Sequence, residues 1–270
     1  MKKNDVYVLS NGVKIPVIGF GTWQIKDGDD AYNSTLSALK AGYRHIDTAR
    51  AYGNEGSVGK AIKDSGIKRE EIFITTKLPA EIKGYEQAKK YFNESIEKLG
   101  VDYLDLYLIH APKPWDVYTD GMEYMPANIE TWKAFEELYL EKKIRAIGVS
   151  NFYPNHLEAL LKEAKIVPMV NQIQINPNYI PRDAIKMCKE YGILLEAYSP
   201  FATGRIFNDE RLLNIAKKYG VSLAKLCMKW SLQNGFLPLP KSTHEERILA
   251  NLDVFDFEIS DEDMKLIGEI

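Results

Sequence analysis

Four residues whose types suit proton transfer stand at the ends of short apolar runs. They are Asp47 in HIDTARAYGNE, Tyr52 five residues further on, Lys77 closing FITTKL and His110 closing LYLIHAP. An ammonium beside a phenol favours phenolate and draws a tyrosine down from about 10 toward working pH. Tyr52 is then a usable proton donor. A lysine held in a confined site is costly without a counter-charge, which Asp47 can supply. His110 can orient a carbonyl oxygen. Each residue alone has a plainer reading: Asp47 as a turn cap, Tyr52 as packing, Lys77 as a surface partner, His110 as a satisfied core histidine. Lys77 could also act as a Schiff-base nucleophile of an aldolase, a role open to a desolvated lysine in a barrel.

The elements that must bring these residues together alternate along the chain. Strands are predicted at Ile18–Gly21, His45–Ala49, Ile72–Lys77, Tyr103–His110, Ile144–Ser150, Met169–Ile175, Leu194–Ser199 and Leu237–Pro240. Several are nearly continuous apolar runs, as parallel strands covered on both faces should be. Between them Asp29–Ala41, Tyr85–Leu99, Ile129–Lys142, Pro154–Ala164 and Arg182–Tyr191 repeat apolar residues at helical spacing. Eight βα units predict an α/β fold, a (β/α)8 barrel forming one domain over residues 1–270, with chemistry at the carboxyl ends of the strands. Ahead of the first strand, VYVLSNGVKIPVI places Asn-Gly between two β-prone runs, a hairpin expected to cap the amino-terminal mouth. Two helices after the seventh strand, Asp209–Tyr219 and Ser222–Gln233, exceed a plain repeat, and a last one begins near Asp261.

Composition narrows the function. Hydrophobic residues at 45% and charged residues at 27% make a globular chain, and a net charge of −3 without basic runs argues against nucleic acid or anionic membrane as partner. A small molecule is the expected ligand. The two cysteines, Cys188 and Cys227, have neither metal-ligand nor disulfide spacing, so no metal is expected. The amino terminus lacks a secretory apolar stretch, and no apolar run reaches membrane-spanning length, so a cytoplasmic monomer is the default.

In GFGTWQ (Gly19–Gln24), HIDTA and YGNEGSVGKAI (His45–Ile62), TTKL (Thr75–Leu78), LDLYLIH (Leu104–His110), GVSNF (Gly148–Phe152), NQI (Asn171–Ile173), AYSP (Ala197–Pro200) and PKST with Arg247, the sequence resembles the aldo-keto reductases. It is similar to the short bacterial-type members that reduce 2,5-diketo-gluconate. The resemblance runs in family order over nearly the whole chain. It implies that Asp47, Tyr52, Lys77 and His110 form the catalytic tetrad with Tyr52 as general acid, and that the cofactor is NADPH held in extended form. No G-x-G-x-x-G opens a helix here, which fits that mode of binding.

By the same resemblance Ser150, Asn151 and Gln172 hold the nicotinamide carboxamide and Tyr198 stacks on the ring. Gly21, Thr22 and Ser199, within matching motifs, belong to the cofactor site. Lys241 and Ser242 follow the eighth strand and Arg247 lies in the next helix, two cations and a hydroxyl that suit a 2′-phosphate near a helix amino terminus. Asn251 matches an adenine contact, but Ala250 replaces the glutamate often found before it.

Trp23, Trp115 and Phe201 are expected to wall the substrate pocket. Pro79 and Ala111 stand where many relatives carry aromatics, predicting a wider pocket there. With the chain stopping at Ile270, close behind the last helix, fewer selective contacts are expected than in relatives with a long carboxyl-terminal loop. The expected activity is reduction of small or medium aldehydes, dicarbonyls, ketones and keto sugars with broad specificity. The alternative is a nicotinamide-binding regulatory protein of the same fold with little turnover.

Overall fold

Elements follow in the order β1 (Val6–Val8), β2 (Lys14–Pro16), β3 (Phe20–Gly21), α1 (Asp29–Ala41), β4 (His45–Asp47), α2 (Glu55–Asp64), β5 (Phe73–Leu78), α3 (Tyr85–Leu99), β6 (Leu104–Ile109) and α4 (Met125–Leu140). The second half continues with β7 (Ile144–Ser150), α5 (Pro154–Leu161), β8 (Val170–Gln174), α6 (Arg182–Glu190), β9 (Leu194–Tyr198), α7 (Glu210–Lys218), α8 (Leu223–Gln233), β10 (Leu237–Leu239), α9 (Glu245–Leu252) and α10 (Asp261–Gly268). This is a computed structural model, and it describes residues 1–269.

Strands β3 to β10 pair in parallel, each with the next. Two backbone bonds then join the first to the last, Gly19 N to Pro238 O at 3.2 Å and Gly21 N to Pro240 O at 3.0 Å. The sheet thus closes on itself as a (β/α)8 barrel. Every side chain of β5 and β6 is buried, because one face fills the barrel and the other meets helices. The outer helices present narrow apolar stripes: α3 buries Ala88, Phe92, Ser95 and Leu99, then ends on Gly100 with φ of 65°, a left-handed cap that favours glycine.

Two helices depart from the sequence pattern. Helix α2 is not announced by apolar periodicity, and two glycines in it should each cost about 1 kcal/mol against alanine. Gly59 is nevertheless required, since a Cβ there would lie 2.2 Å from the Leu99 carbonyl oxygen. Glycine lets α2 rest on the end of α3, and α2 begins just behind Tyr52. Helix α4 starts at Met125 rather than Ile129, because Pro126 sits comfortably in a first turn, where no backbone N–H is needed.

The hairpin forms as β1 against β2, with Tyr7 opposite Ile15. Its turn holds Gly12 at φ of 85°, and Leu9 N bonds Val13 O at 2.8 Å, so Asn-Gly lies in a three-residue loop with glycine at the bulge. Tyr7 Oη donates to Phe236 O at 3.2 Å and Asn11 Nδ2 to Arg145 O at 2.9 Å, both at amino-terminal strand ends. The hairpin therefore covers that mouth and leaves the opposite one open. Among the described residues no helix is long and apolar enough to cross a membrane.

Candidate active site

The open mouth leads into a cavity of about 1260 Å³ lined by the carboxyl ends of the strands and the loops after them. Three strands and one turn converge on its floor. Asp47 ends β4, Lys77 lies near the end of β5, and His110 follows β6 directly. Tyr52 closes a single 3-10 turn, Arg50–Tyr52, that Asn54 anchors. The Asn54 amide accepts from Thr48 Oγ1 at 2.9 Å and donates to Thr22 O and Ile25 O at 3.0 Å each, so the turn is wired to the loop after β3.

Lys77 Nζ donates to Asp47 Oδ1 and Thr48 O, both at 2.7 Å, and lies 3.4 Å from Tyr52 Oη. It is fully buried beneath the phenol and does not itself reach the cavity wall. Burial alone would pull the ammonium down, but the Asp47 carboxylate and Tyr52 outweigh it and hold it above its ordinary value. The His110 ring stands edge-on to Tyr52 with centroids 5.6 Å apart. Burial, then the Lys77 and Lys83 cations, keep the imidazole well below its usual range, so it is neutral. Its Nδ1 is sealed without a partner while Nε2 is not, so we assign the ring proton to Nε2, facing the cavity.

One expectation is corrected here. Burial raises the Tyr52 phenol above its ordinary value, although Lys77 works in the other direction. The Asp47 carboxylate, closer to the lysine than the phenol is, also raises Tyr52. Tyr52 therefore rests as a firmly protonated acid whose conjugate base has a cation waiting beneath it.

The other sequence-predicted residues are placed as follows. Gly21, Ser150, Asn151, Gln172, Tyr198, Ser199, Lys241, Ser242, Arg247 and Asn251 all line the cavity, as do Trp23, Trp115 and Phe201. Thr22 does not: it is fully buried, and its hydroxyl donates to Asp47 O at 3.0 Å. Asn151 and Ser199 have φ of 59° and 49°, left-handed values that cost about 1 kcal/mol or more for non-glycine residues. Asn151 is held there by three contacts: Nδ2 donates to His110 O at 3.0 Å and to Ser150 Oγ at 3.2 Å, and Oδ1 accepts from Tyr198 Oη at 2.7 Å.

Pro79 and Ala111, where the sequence predicts a wider pocket, do not line the cavity. Both are buried, and the Trp115 ring stands edge-on to His110 with centroids 5.3 Å apart. A tryptophan four residues after Ala111 thus stands beside the imidazole.

Residues missed by sequence reasoning cluster after β9 and inside the barrel. Thr203, Gly204, Arg205 and Phe207 line the cavity from a short irregular helix. A Thr-Gly-Arg in the loop that follows a strand was the available signal. Glu196, fully buried in β9, bonds Gln172 below the floor; an acid inside the apolar run LLEAY was its trace.

A nicotinamide dinucleotide fits these residues on two observations. The cavity runs without a break from Tyr52 and His110 to Arg247 and Asn251, which suits an extended molecule. Lys241 and Arg247 are exposed and, among the described residues, neither has a carboxylate partner. Glu245 and Glu246 in the first turn of α9 oppose an anion there, so the two cations must dominate.

A closed (β/α)8 barrel with a buried Lys–Asp pair under a phenol, a neutral imidazole beside it and an elongated cavity defines a carbonyl-reducing oxidoreductase. Residues 17–270 match the family model described as "Aldo/keto reductase family", and the chain belongs to that family. It is 48% identical over 266 residues to a glyoxal reductase of Bacillus subtilis (strain 168), covering 98% of this chain and 92% of that one. Among solved structures, an aldo/keto reductase from Brucella melitensis superposes with a TM-score of 0.91 at 42% identity, covering 98% of this chain and 99% of that one. A Bombyx mori aldo-keto reductase solved in complex with NADP superposes at 0.88 with 33% identity, covering 100% of this chain and 93% of that one.

Proposed function

We propose that the chain reduces small aldehydes and dicarbonyls such as glyoxal with NADPH, using Tyr52 as general acid. The observation that carries this reading is the placement of Lys77 Nζ between Asp47 Oδ1, at 2.7 Å, and Tyr52 Oη, at 3.4 Å, directly under the cavity floor. The chemistry a bound reduced nicotinamide supplies is a hydride to the carbonyl carbon. The protein's own residues do the rest. His110 Nε2–H and Tyr52 Oη–H donate to the carbonyl oxygen and polarise it. As negative charge builds on that oxygen, the Tyr52 proton moves to it, and Lys77 stabilises the phenolate left behind. Asp47 keeps Lys77 charged in a buried site.

Ser150, Asn151 and Gln172 supply the polar groups for a carboxamide and Tyr198 the ring face beside it. Lys241, Ser242 and Arg247 would hold a 2′-phosphate by charge and hydrogen bonding, which favours NADPH over NADH. Trp23, Trp115 and Phe201 exclude water from the reacting carbonyl while making few directional contacts, and on that ground specificity is broad. Loss of NADPH at 340 nm in the presence of glyoxal tests the assignment. Tyr52→Phe should cut turnover by about 10²–10⁴-fold while leaving NADPH binding intact. Tight binding without turnover in the wild type would instead support a regulatory role. A survey in which one carbonyl compound is preferred by several orders of magnitude would refute the breadth.

A further inference from the structure

Below the cavity floor lies a buried polar chain that the mechanism above does not use. Gln172 Nε2 donates both of its hydrogens inward, to Asp47 Oδ2 at 2.8 Å and to Glu196 Oε2 at 2.7 Å. Glu196 is fully buried; its other oxygen, Oε1, has no hydrogen-bond partner and lies 3.8 Å from His45 Nε2. His45 Nε2 is itself engaged with Thr75 Oγ1 at 2.9 Å.

We propose that Glu196 is a positioning residue that fixes which way the Gln172 amide faces, and thereby which group of a bound carboxamide the barrel can hold. The proposal rests on the reading of Gln172 as a carboxamide contact. A glutamine amide has one accepting and one donating end, and the two are nearly equal in shape. With only Asp47 as inward acceptor, a flip would cost one hydrogen bond. With Glu196 as a second acceptor, the inward position demands the nitrogen twice over.

The Gln172 carbonyl is thereby turned outward. Oε1 takes no bond within the protein and is not among the sealed polar atoms, while the residue lines the cavity. An outward carbonyl can accept but not donate, so it bonds the N–H of a carboxamide and gains nothing from a ketone in the same place.

Electrostatics supports a neutral Glu196 in this role. The Lys77 charge is already balanced by Asp47, so a second carboxylate would be an uncompensated buried charge. Burial first, then the Asp47 charge, push the Glu196 carboxyl up to about 8, against the opposing pull of Gln172 and Lys77. With its proton on Oε1, on the side of His45, the acid presents Oε2 to Gln172 as an acceptor only. The charged and titratable groups facing it are Asp47 and His45 from β4 and Lys77 from β5; β10, on its other side, presents only Leu237, Pro238 and Leu239.

The test compares NADP+ with its 3-acetylpyridine analogue, which keeps the carbonyl of the carboxamide and replaces the amide nitrogen by a methyl group. Binding is read from quenching of tryptophan fluorescence, since Trp23 and Trp115 line the cavity. The wild type should favour NADP+ by roughly 3- to 10-fold, the worth of one hydrogen bond. Glu196→Leu, which leaves Asp47 as the one inward acceptor, should lower that ratio toward one, and Glu196→Gln, which can present an acceptor or a donor to Gln172, should lower it less. A wild-type ratio near one overturns the proposal without any variant, as does a ratio unchanged in a folded Glu196→Leu or Glu196→Met protein. Absence of any quenching by NADP+ would overturn both this proposal and the reading of the cavity as a cofactor site.

Discussion

Replacing Lys77 by methionine probes the coupling between cation and phenol most directly. At 3.4 Å a unit charge stabilises a phenolate by about 5 kcal/mol for an effective dielectric of about 20. The Asp47 carboxylate, 2.7 Å from the same ammonium, works against this. It can stand no more than about 6 Å from the phenol oxygen, so its opposing effect is about 3 kcal/mol or more. Once its partner is gone the buried Asp47 takes up a proton, and the loss is the difference, about 2 kcal/mol or some 30-fold in kcat. Steady-state glyoxal reduction at pH 7 reads it. Tyr52→Phe, which removes the acid itself, should lose about 10²–10⁴-fold. The double variant should be no slower than Tyr52→Phe alone, because Lys77 acts through Tyr52. A folded Lys77→Met enzyme within threefold of wild type would refute the reasoning, as would a double variant whose losses multiply. Trapping of glyoxal on Lys77 by borohydride would point to the Schiff-base chemistry instead.

Three further outcomes follow from the geometry. Neutralising Lys241 and Arg247 together should raise the KM for NADPH by about a hundredfold or more, at about 1.5–3 kcal/mol per hydrogen bond to a charged group, while the KM for NADH barely moves; equal effects would show that neither reads the phosphate. His45 is pulled down to about 3 by burial and then by Lys77, and His110 is also held well below its ordinary value. The unfolded chain binds protons below about pH 6.5 that the native state refuses, so each histidine lowers native stability on acidification by up to about 1.4 kcal/mol per pH unit, while the Glu196 carboxyl, raised to about 8, works the other way by a similar amount. Urea titrations between pH 7 and 5 measure this, and His110→Gln should reduce the slope. Gly59→Ala, forcing a Cβ to within 2.2 Å of Leu99 O, should lower the melting temperature markedly without changing the KM for glyoxal; an unchanged melting temperature would mean that α2 does not rest on α3 as described.

Much of the barrel was legible because parallel strands carry unmistakable apolar runs, and Asp47, Lys77 and His110 sit where such runs stop. Tyr52 could be grouped with them only through its motif, since nothing in the spacing reveals a 3-10 turn anchored by Asn54. Charge was easier to read than burial: Lys77 predicts a lowered phenol, yet desolvation prevails, and desolvation depends on what packs over a residue. Side chains that reach a site from a distance were equally hidden. Trp115 stands beside His110 from further along the same loop, and Thr22 spends its hydroxyl on Asp47 O rather than on the cavity. Gly59 misled in the other direction, because a glycine that permits close helix contact looks in sequence like one that breaks a helix.

Pro238 and Pro240 have no amide hydrogen to give, so β10 meets β3 only as an acceptor, through the bonds from Gly19 and Gly21. Each of the other strand junctions can exchange bonds in both directions; this one is bonded from a single side. It should be the first place where amide hydrogens exchange with solvent and where thermal opening begins. The residues flanking it, Gly21 and Trp23 on one side and Lys241 and Ser242 on the other, both face the same cavity. A dinucleotide lying across that line would tie the two edges together, and occupancy of the cavity would then supply the cohesion that the backbone lacks there.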